Sequence, residues 1–196
     1  MIRQPPGATP DLTESGRVTY AAAMTRQARQ LPPGAGAARP RRPDWDTYFM
    51  DIIQVVKRRG NCLRRQVAAL IVKERRIIAT GYNGTPSGIR NCDAGGCPRC
   101  AGGAPSGERL GDCICAHAEE NAILQAACHG MALKNTALYC TESPCLLCAK
   151  LIITAGIREV VYERAYQRSR QVAALFREAG VRCRRFQRRA RPAGRG

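Results

Sequence analysis

From residue 44 onward the apolar residues recur with a helical period. In "RPDWDTYFMDIIQVVKRRG", Phe49, Ile52, Ile53 and Val56 fall on one stripe. Asp44 is placed to cap the start of this helix and Gly60 to end it. Then the period changes. "QVAALIVK" and "RIIATGYN" are β-rich runs separated by the charged turn Glu74–Arg76, which predicts a hairpin. Beyond residue 115 helical and extended patterns alternate. "AHAEENAILQAAC" reads as helix, "TALYCTE" as strand, "PCLLCAKLIITAG" as helix, "REVVYE" as strand, "RQVAALFREAG" as helix and "VRCRRF" as strand. Five strands and interleaved helices predict a three-layer α/β/α fold around a mixed, mostly parallel sheet.

Two regions break the pattern. Residues 83–115 are Gly, Pro and Cys with no period, and a loop of that length inside a compact domain is usually functional. Residues 1–43 are rich in Pro, Gly, Ala and Arg and predict a disordered basic tail. The expected organisation is therefore a tail over 1–43, a folded domain over 44–186 and a second basic tail over 187–196.

The formal net charge of +17 is concentrated at the ends. Residues 1–43 carry +5, residues 177–196 carry +7, and the long middle carries only +5. Basic tails can track an acidic polymer, but arginine- and alanine-rich ends are also simply well solvated, and that reading is preferred. No run of 18 apolar residues is present, so no membrane span is expected, and the N-terminus lacks the apolar core of a secretory signal. A cytoplasmic protein is expected. A nuclear location and an arginine-rich organelle transit segment remain open, the scarcity of serine counting against the latter.

Eleven cysteines without a secretory signal, at short spacings, point to metal rather than disulfides. The chain has only two histidines, and His117 opens a helix directly behind Cys113 and Cys115. "SPCLLC" opens another, with Pro144 in a first helical turn and Cys145 and Cys148 three apart on one face. One nitrogen and two sulfurs leave a tetrahedral zinc with an open fourth position, the mark of a catalytic site. Glu119, two residues beyond His117, can move protons beside such a metal. Glu120 reads as a helix-surface charge and His129 as a cap. Cys97 and Cys100 form a knuckle-like "CPRC", and with Cys113 and Cys115 suggest structural zinc in a loop poor in apolar side chains. Cys128, Cys140 and Cys183 read as isolated core residues.

His117-Ala118-Glu119 followed by Pro144-Cys145-Leu146-Leu147-Cys148 matches the H-x-E and P-C-x-x-C signature of zinc nucleobase deaminases. From Trp45 to Phe186 the chain resembles the deoxycytidylate (dCMP) deaminases of the cytidine deaminase superfamily. The resemblance rests on "VAALIV", "IIATGYNGTPSG", "HAEENAIL", "SPCLLCAKLIITAGIREVVY" and "AGVRCRRF". The cysteine-rich loop, "NCDAGGCPRCAGG…CICAHAEEN", resembles the fungal-type members.

This resemblance implies the cytidine-deaminase fold and hydrolytic attack at C4 of cytosine, turning dCMP into dUMP and ammonia and so supplying dUMP for dTTP synthesis. It implies that Glu119 moves protons to N3 and to the leaving ammonia. It implies a base contact from the Ala118 backbone, a sugar contact from Asn83 and a phosphate contact from a nearby cation such as Arg65 or Arg64. It also implies a second, structural zinc on Cys62, Cys92 and Cys115, with the fourth ligand open among Cys113, Cys97 and Cys100. A homo-oligomer, a hexamer by resemblance, with dCTP activating and dTTP inhibiting, is a further implication. Two rival readings remain. A deaminase of bases within tRNA or single-stranded DNA would use the tails to follow phosphates. A non-catalytic cysteine-rich nucleic-acid-binding module fits the charge and the knuckle, yet leaves Glu119 and the open metal site without a role, and with 5% aromatics there is little on which to stack bases.

Overall fold

The computed structural model describes residues 42–105, 108–109, 112–166 and 170–188. The expected disordered tail over 1–43 falls outside the described residues except for Arg42 and Pro43, and so does most of 187–196.

The order of elements is α1 (Trp45–Lys57), β1 (Ala68–Lys73), β2 (Arg76–Tyr82), α2 (Pro98–Ala101), α3 (Ala118–Cys128), β3 (Ala137–Glu142), α4 (Leu146–Thr154), β4 (Glu159–Arg164), α5 (Arg170–Glu178) and β5 (Arg182–Arg185). The sheet runs β2-β1-β3-β4-β5. β1 lies antiparallel to both β2 and β3, while β3/β4 and β4/β5 are parallel. Four strands therefore share a direction and β1 alone opposes them. The sheet is mixed as expected, but its pairings divide evenly between the two kinds, because β1, through which the edge hairpin joins β3, runs antiparallel to both of its neighbours. The expected loop is not wholly irregular, since it contains a 3-10 turn at Cys92–Ala94 and the short helix α2.

Strand alternation sorts the core into two layers. Ala68, Leu70 and Val72 of β1, Tyr139 of β3 and Val161 of β4 face α1 and meet Phe49, Met50 and Ile53. Ala69 and Ile71, Leu138 and Cys140, and Val160 and Tyr162 face the other way, towards α3, α4 and α5. Asp44 caps α1 as expected, accepting the Thr47 N–H at 2.8 Å. α1 is also held electrostatically. Arg184 of β5 forks onto both oxygens of Asp46 at 2.7 and 2.9 Å, and the Tyr139 hydroxyl donates to the same carboxylate. Arg184 and Arg182 both reach Glu159 of β4. Arg188 pairs with Asp51 at 2.6 Å, so the C-terminal arginines engage α1 two residues past the expected domain boundary.

α3 packs on the sheet through small residues. Ala118, Ala122 and Ala126 are all fully buried and stand four apart, a stripe with no bulk. Opposite them lies Gly81 of β2. A β-carbon there would sit 2.1 Å from the Ala118 carbonyl oxygen and 2.5 Å from the Ala122 nitrogen, and both are backbone atoms that cannot swing aside. The cost of overpacking would fall on the position of α3 itself. Gly81→Ala is expected to destabilise the domain by about 3 kcal/mol or more, read as a fall in the denaturant midpoint. Gly88→Ala serves as control: its positive φ of 83° strains any side chain, but no atom lies within 4 Å of the added carbon, so it should cost about 1 kcal/mol.

Candidate functional site

The expected metal ligands meet where two helices begin. His117 is the N-cap of α3, and Cys145 is the N-cap of α4. Pro144 stands one residue before that cap rather than within the first turn. Cys148 lies in the first turn of α4, and both sulfurs come to 3.4 Å from Nδ1 of His117. Ligands on one tetrahedral zinc, at about 2.0–2.3 Å from the metal, stand roughly 3.4–3.8 Å apart. The donor set, its spacing and its chemistry thus fit a zinc ion. The three atoms grade from surface to interior, His117 being exposed, Cys145 half-buried and Cys148 buried. The site is open on the histidine side.

The ligands polarise one another. The Cys148 thiol donates to Cys145, and although burial opposes ionisation, the His117 contact adds to the effect, so that the Cys145 thiol falls to about 3. Cys145 in turn holds the His117 imidazole up at about 9 against its partial burial. Negative charge is therefore favoured where a divalent cation would sit.

Glu119 is only 4% exposed, and burial pushes its carboxyl above the ordinary carboxylate range. Its side chain reaches Cys148. Glu120 is no idle surface charge, because its carboxylate accepts the His117 backbone N–H at 3.2 Å, fixing the capping residue that carries the imidazole. The glycine-rich stretch is tied to the same point. Gly84 and Ala116 exchange both backbone hydrogen bonds, placing "NGT" directly beside His117. Thr85 Oγ1 there is buried without a hydrogen-bond partner among the described residues.

Asn83 is buried, and its amide spans the chain before β1. Oδ1 accepts from Val67 N and Nδ2 donates to Arg65 O, both at 2.7 Å. Its visible role is to hold residues 65–67, and a sugar contact would have to use the remaining lone pair or hydrogen. Arg65 lies with its guanidinium carbon 4.2 Å over the ring of Tyr166, and its Nη1 is 3.8 Å from Oε2 of Glu142. Arg164 takes the other Glu142 oxygen at 2.8 Å. Ser143 accepts from Tyr166 N and donates to Tyr166 O, locking that ring beside the metal ligands. Neither Tyr166 nor Glu142 was singled out from the sequence. The available signal was position: both stand at the carboxyl ends of parallel strands, where ligands of open α/β sheets bind.

The loop cysteines also gather. Cys62, Cys92 and Cys115 form one group of mutually close sulfurs, as expected, but Cys113 stands with Cys97 and Cys115 instead, and Cys100 with Cys92 and Cys97. The structure therefore singles out no fourth ligand. His129 caps the end of α3 as expected. Cys140 is a core residue, whereas Cys128 and Cys183 are exposed, because the ends of α3 and β5 lie at the surface.

Comparison with known proteins agrees with this geometry. The family profile described as "Cytidine and deoxycytidylate deaminase zinc-binding region" matches residues 43–164. The deoxycytidylate deaminase of Schizosaccharomyces pombe is 46% identical over 145 residues, which is 74% of this chain and 45% of that protein. That of Saccharomyces cerevisiae is 45% identical over 74% of this chain and 46% of its own length, so the chain spans about half the length of these two relatives. The deoxycytidylate deaminase of Mycobacterium phage D29 is 41% identical and is covered over 97% of its length. Among solved structures, the dCMP deaminase of cyanophage S-TIM5, in complex with dCMP and dUMP, superposes with a TM-score of 0.62 at 29% identity, covering 74% of this chain and 98% of that one. With the ligand triad at two helix starts, the buried glutamate behind it and the matched profile across both motifs, the chain belongs to the cytidine and deoxycytidylate deaminase zinc-binding family.

Proposed function

We propose that this chain is a zinc-dependent deaminase that hydrolyses dCMP to dUMP and ammonia. The observation that carries the reading is Glu119, a buried carboxyl with a raised pKa, directly behind an open three-ligand metal set. The named relatives and the dCMP-bound neighbour support the choice of substrate.

His117, Cys145 and Cys148 would hold the zinc. When bound, zinc is a Lewis acid that makes a water nucleophilic near neutral pH. Glu119 would accept a proton from the attacking water and deliver protons to N3 of cytosine and to the departing amino group. Burial suits it to this work, because a carboxyl whose pKa is raised towards neutrality can both accept and return a proton. Ala118, the first residue of α3, lies in the turn whose N–H groups have no helical acceptor, and its N–H orients the base. Asn83 sets the path of residues 65–67 and faces the sugar. Arg65, braced by Tyr166 and Glu142, takes the phosphate, for which a guanidinium fork is well shaped. Product dUMP would feed thymidylate synthesis.

Three outcomes are expected. Ammonia release from dCMP should exceed that from CMP, deoxycytidine, dCTP and single-stranded oligonucleotide, and Arg65→Ala should cut the advantage of dCMP over deoxycytidine about 10-fold or more. Faster release from the oligonucleotide would replace the mononucleotide reading with one of nucleic-acid deamination. Glu119→Gln should keep its zinc, by metal analysis, while losing roughly 10²–10⁴ in kcat; loss of the zinc would make Glu119 a ligand instead. The third concerns control. The glycine-rich "GYNGTPSG" lets backbone approach phosphates, and Arg64 and Arg65 are at hand, whereas Arg90 is turned to the Gly95 carbonyl. In a homo-oligomer, saturation by dCMP should be shifted to lower concentration by dCTP and to higher by dTTP. A monomer with hyperbolic kinetics indifferent to both triphosphates would reject this control and leave the chemistry untouched.

A further inference from the structure

The segment between β2 and α3, together with Cys62, encloses a core made of nothing but cysteine. Cys92, Cys97, Cys100 and Cys115 are buried, Cys62 and Cys113 pack against them, and none of the six is in a disulfide. Their sulfurs form three groups, each of three atoms within 4.8 Å of one another: Cys62, Cys92 and Cys115; Cys92, Cys97 and Cys100; Cys97, Cys113 and Cys115.

The groups interlock in a regular way. Cys92, Cys97 and Cys115 each belong to two of them, so these three sulfurs are also mutually close and make a central triangle. Cys62, Cys100 and Cys113 each belong to one group and cap one edge of that triangle. The Cys97 and Cys113 sulfurs, one inner and one outer, are 4.0 Å apart.

Ligand arithmetic then decides the number of metals. A tetrahedral thiolate ion takes four sulfurs. One ion on the central triangle and one cap would leave two caps with no metal to reach. Three ions need twelve ligand positions, and three groups of three offer only nine. Two ions need eight positions from six thiols, which two shared thiolates supply. Only the inner three stand in two groups, so the shared pair comes from them.

Charge points the same way, towards an anionic cluster rather than neutral thiols. Arg99, between Cys97 and Cys100 in the chain, is a buried cation at 7% exposure. Its guanidinium donates to the carbonyls of Glu108 and Pro105, and no carboxylate pairs with it among the described residues. A buried cation needs a counter-charge nearby. Six thiolates with two divalent ions carry a net charge of minus two, a counter-charge within the same loop that neutral thiols would not supply.

We propose that Cys62, Cys92, Cys97, Cys100, Cys113 and Cys115 bind two zinc ions as a single six-thiolate cluster, with two bridging thiolates drawn from Cys92, Cys97 and Cys115. Each thiol gives up its proton on binding, so assembly consumes no electrons and needs no oxidant. The cluster stands apart from the site of His117, Cys145 and Cys148, and the proposal does not rest on the deamination reading.

The test is metal analysis of the full chain purified under reducing conditions, alongside a His117→Ala/Cys145→Ser variant. Three zinc per chain are expected in the first and two in the second. Two and one would mean a single-metal loop site and would overturn the proposal, as would copper or iron in place of zinc. Exchange with ¹¹³Cd gives a readout independent of activity and of any variant's folding. Two loop resonances coupled to one another through a shared sulfur are expected, and uncoupled resonances would refute the bridge. Among variants that keep their helical circular dichroism, at least two of Cys92→Ser, Cys97→Ser and Cys115→Ser should lose both loop metals while Cys113→Ser retains at least one; losses from all three no greater than from Cys113→Ser would contradict the division into inner and outer thiolates.

Discussion

Backbone contact between Gly81 and α3 sets the position of nearly every functional atom described above. The absence of a side chain at Gly81 and the alanine stripe opposite bring helix and sheet together at the closest distance that van der Waals radii allow. At that distance the carboxylate of Glu119 is carried inside the domain rather than along its surface, and burial then raises its pKa. The same approach brings the N-cap of α3 level with the N-cap of α4, so that one imidazole nitrogen meets two thiols. Metal geometry, proton affinity and helix packing are here consequences of one steric fact.

Much of this was legible from the chain. The element order follows from the switch between periods of two and 3.6, and from stop signals such as Gly156, whose φ of 76° closes α4 while Ile157 N returns to Ile152 O. The ligand triad was legible because metal chemistry restricts residue type and spacing at once. A histidine and a CxxC that each open a helix leave few alternatives. Sheet direction was read less well. Alternating strands and helices suggest parallel pairing, and only the fold reveals that the hairpin forms one edge of the sheet and joins it through β1, antiparallel to β3.

What the sequence concealed are the contacts between distant residues whose side chains have many uses. Asn83-Gly84 reads as a turn, yet the amide of Asn83 clamps residues 65–67. Glu120 reads as solvated, yet it fixes the backbone of His117. The arginines of β5 enter the sequence reading only as part of the charge tally over 177–196, yet Arg182 and Arg184 neutralise Asp46 and Glu159. Arginine and glutamate at a surface are compatible with almost any partner, so only three-dimensional proximity selects one. The cysteines of the loop fall between these cases, their chemistry being evident from composition and their grouping only from the fold.

The pairing of Asp46 with Arg184 joins residues 138 apart in the chain. Closing so long a loop costs entropy that local contacts cannot return, and such pairings form late when a chain folds. α1, although it precedes every strand, can acquire this partner only after β5 has taken its place at the sheet edge. Its amphipathic face must therefore wait, half-satisfied against β1 and β3, while the rest of the sheet assembles. During synthesis α1, the first of the described helices to emerge, should be among the last to become locked, and an interruption before β5 is made would leave it exposed to whatever else can cover an apolar stripe.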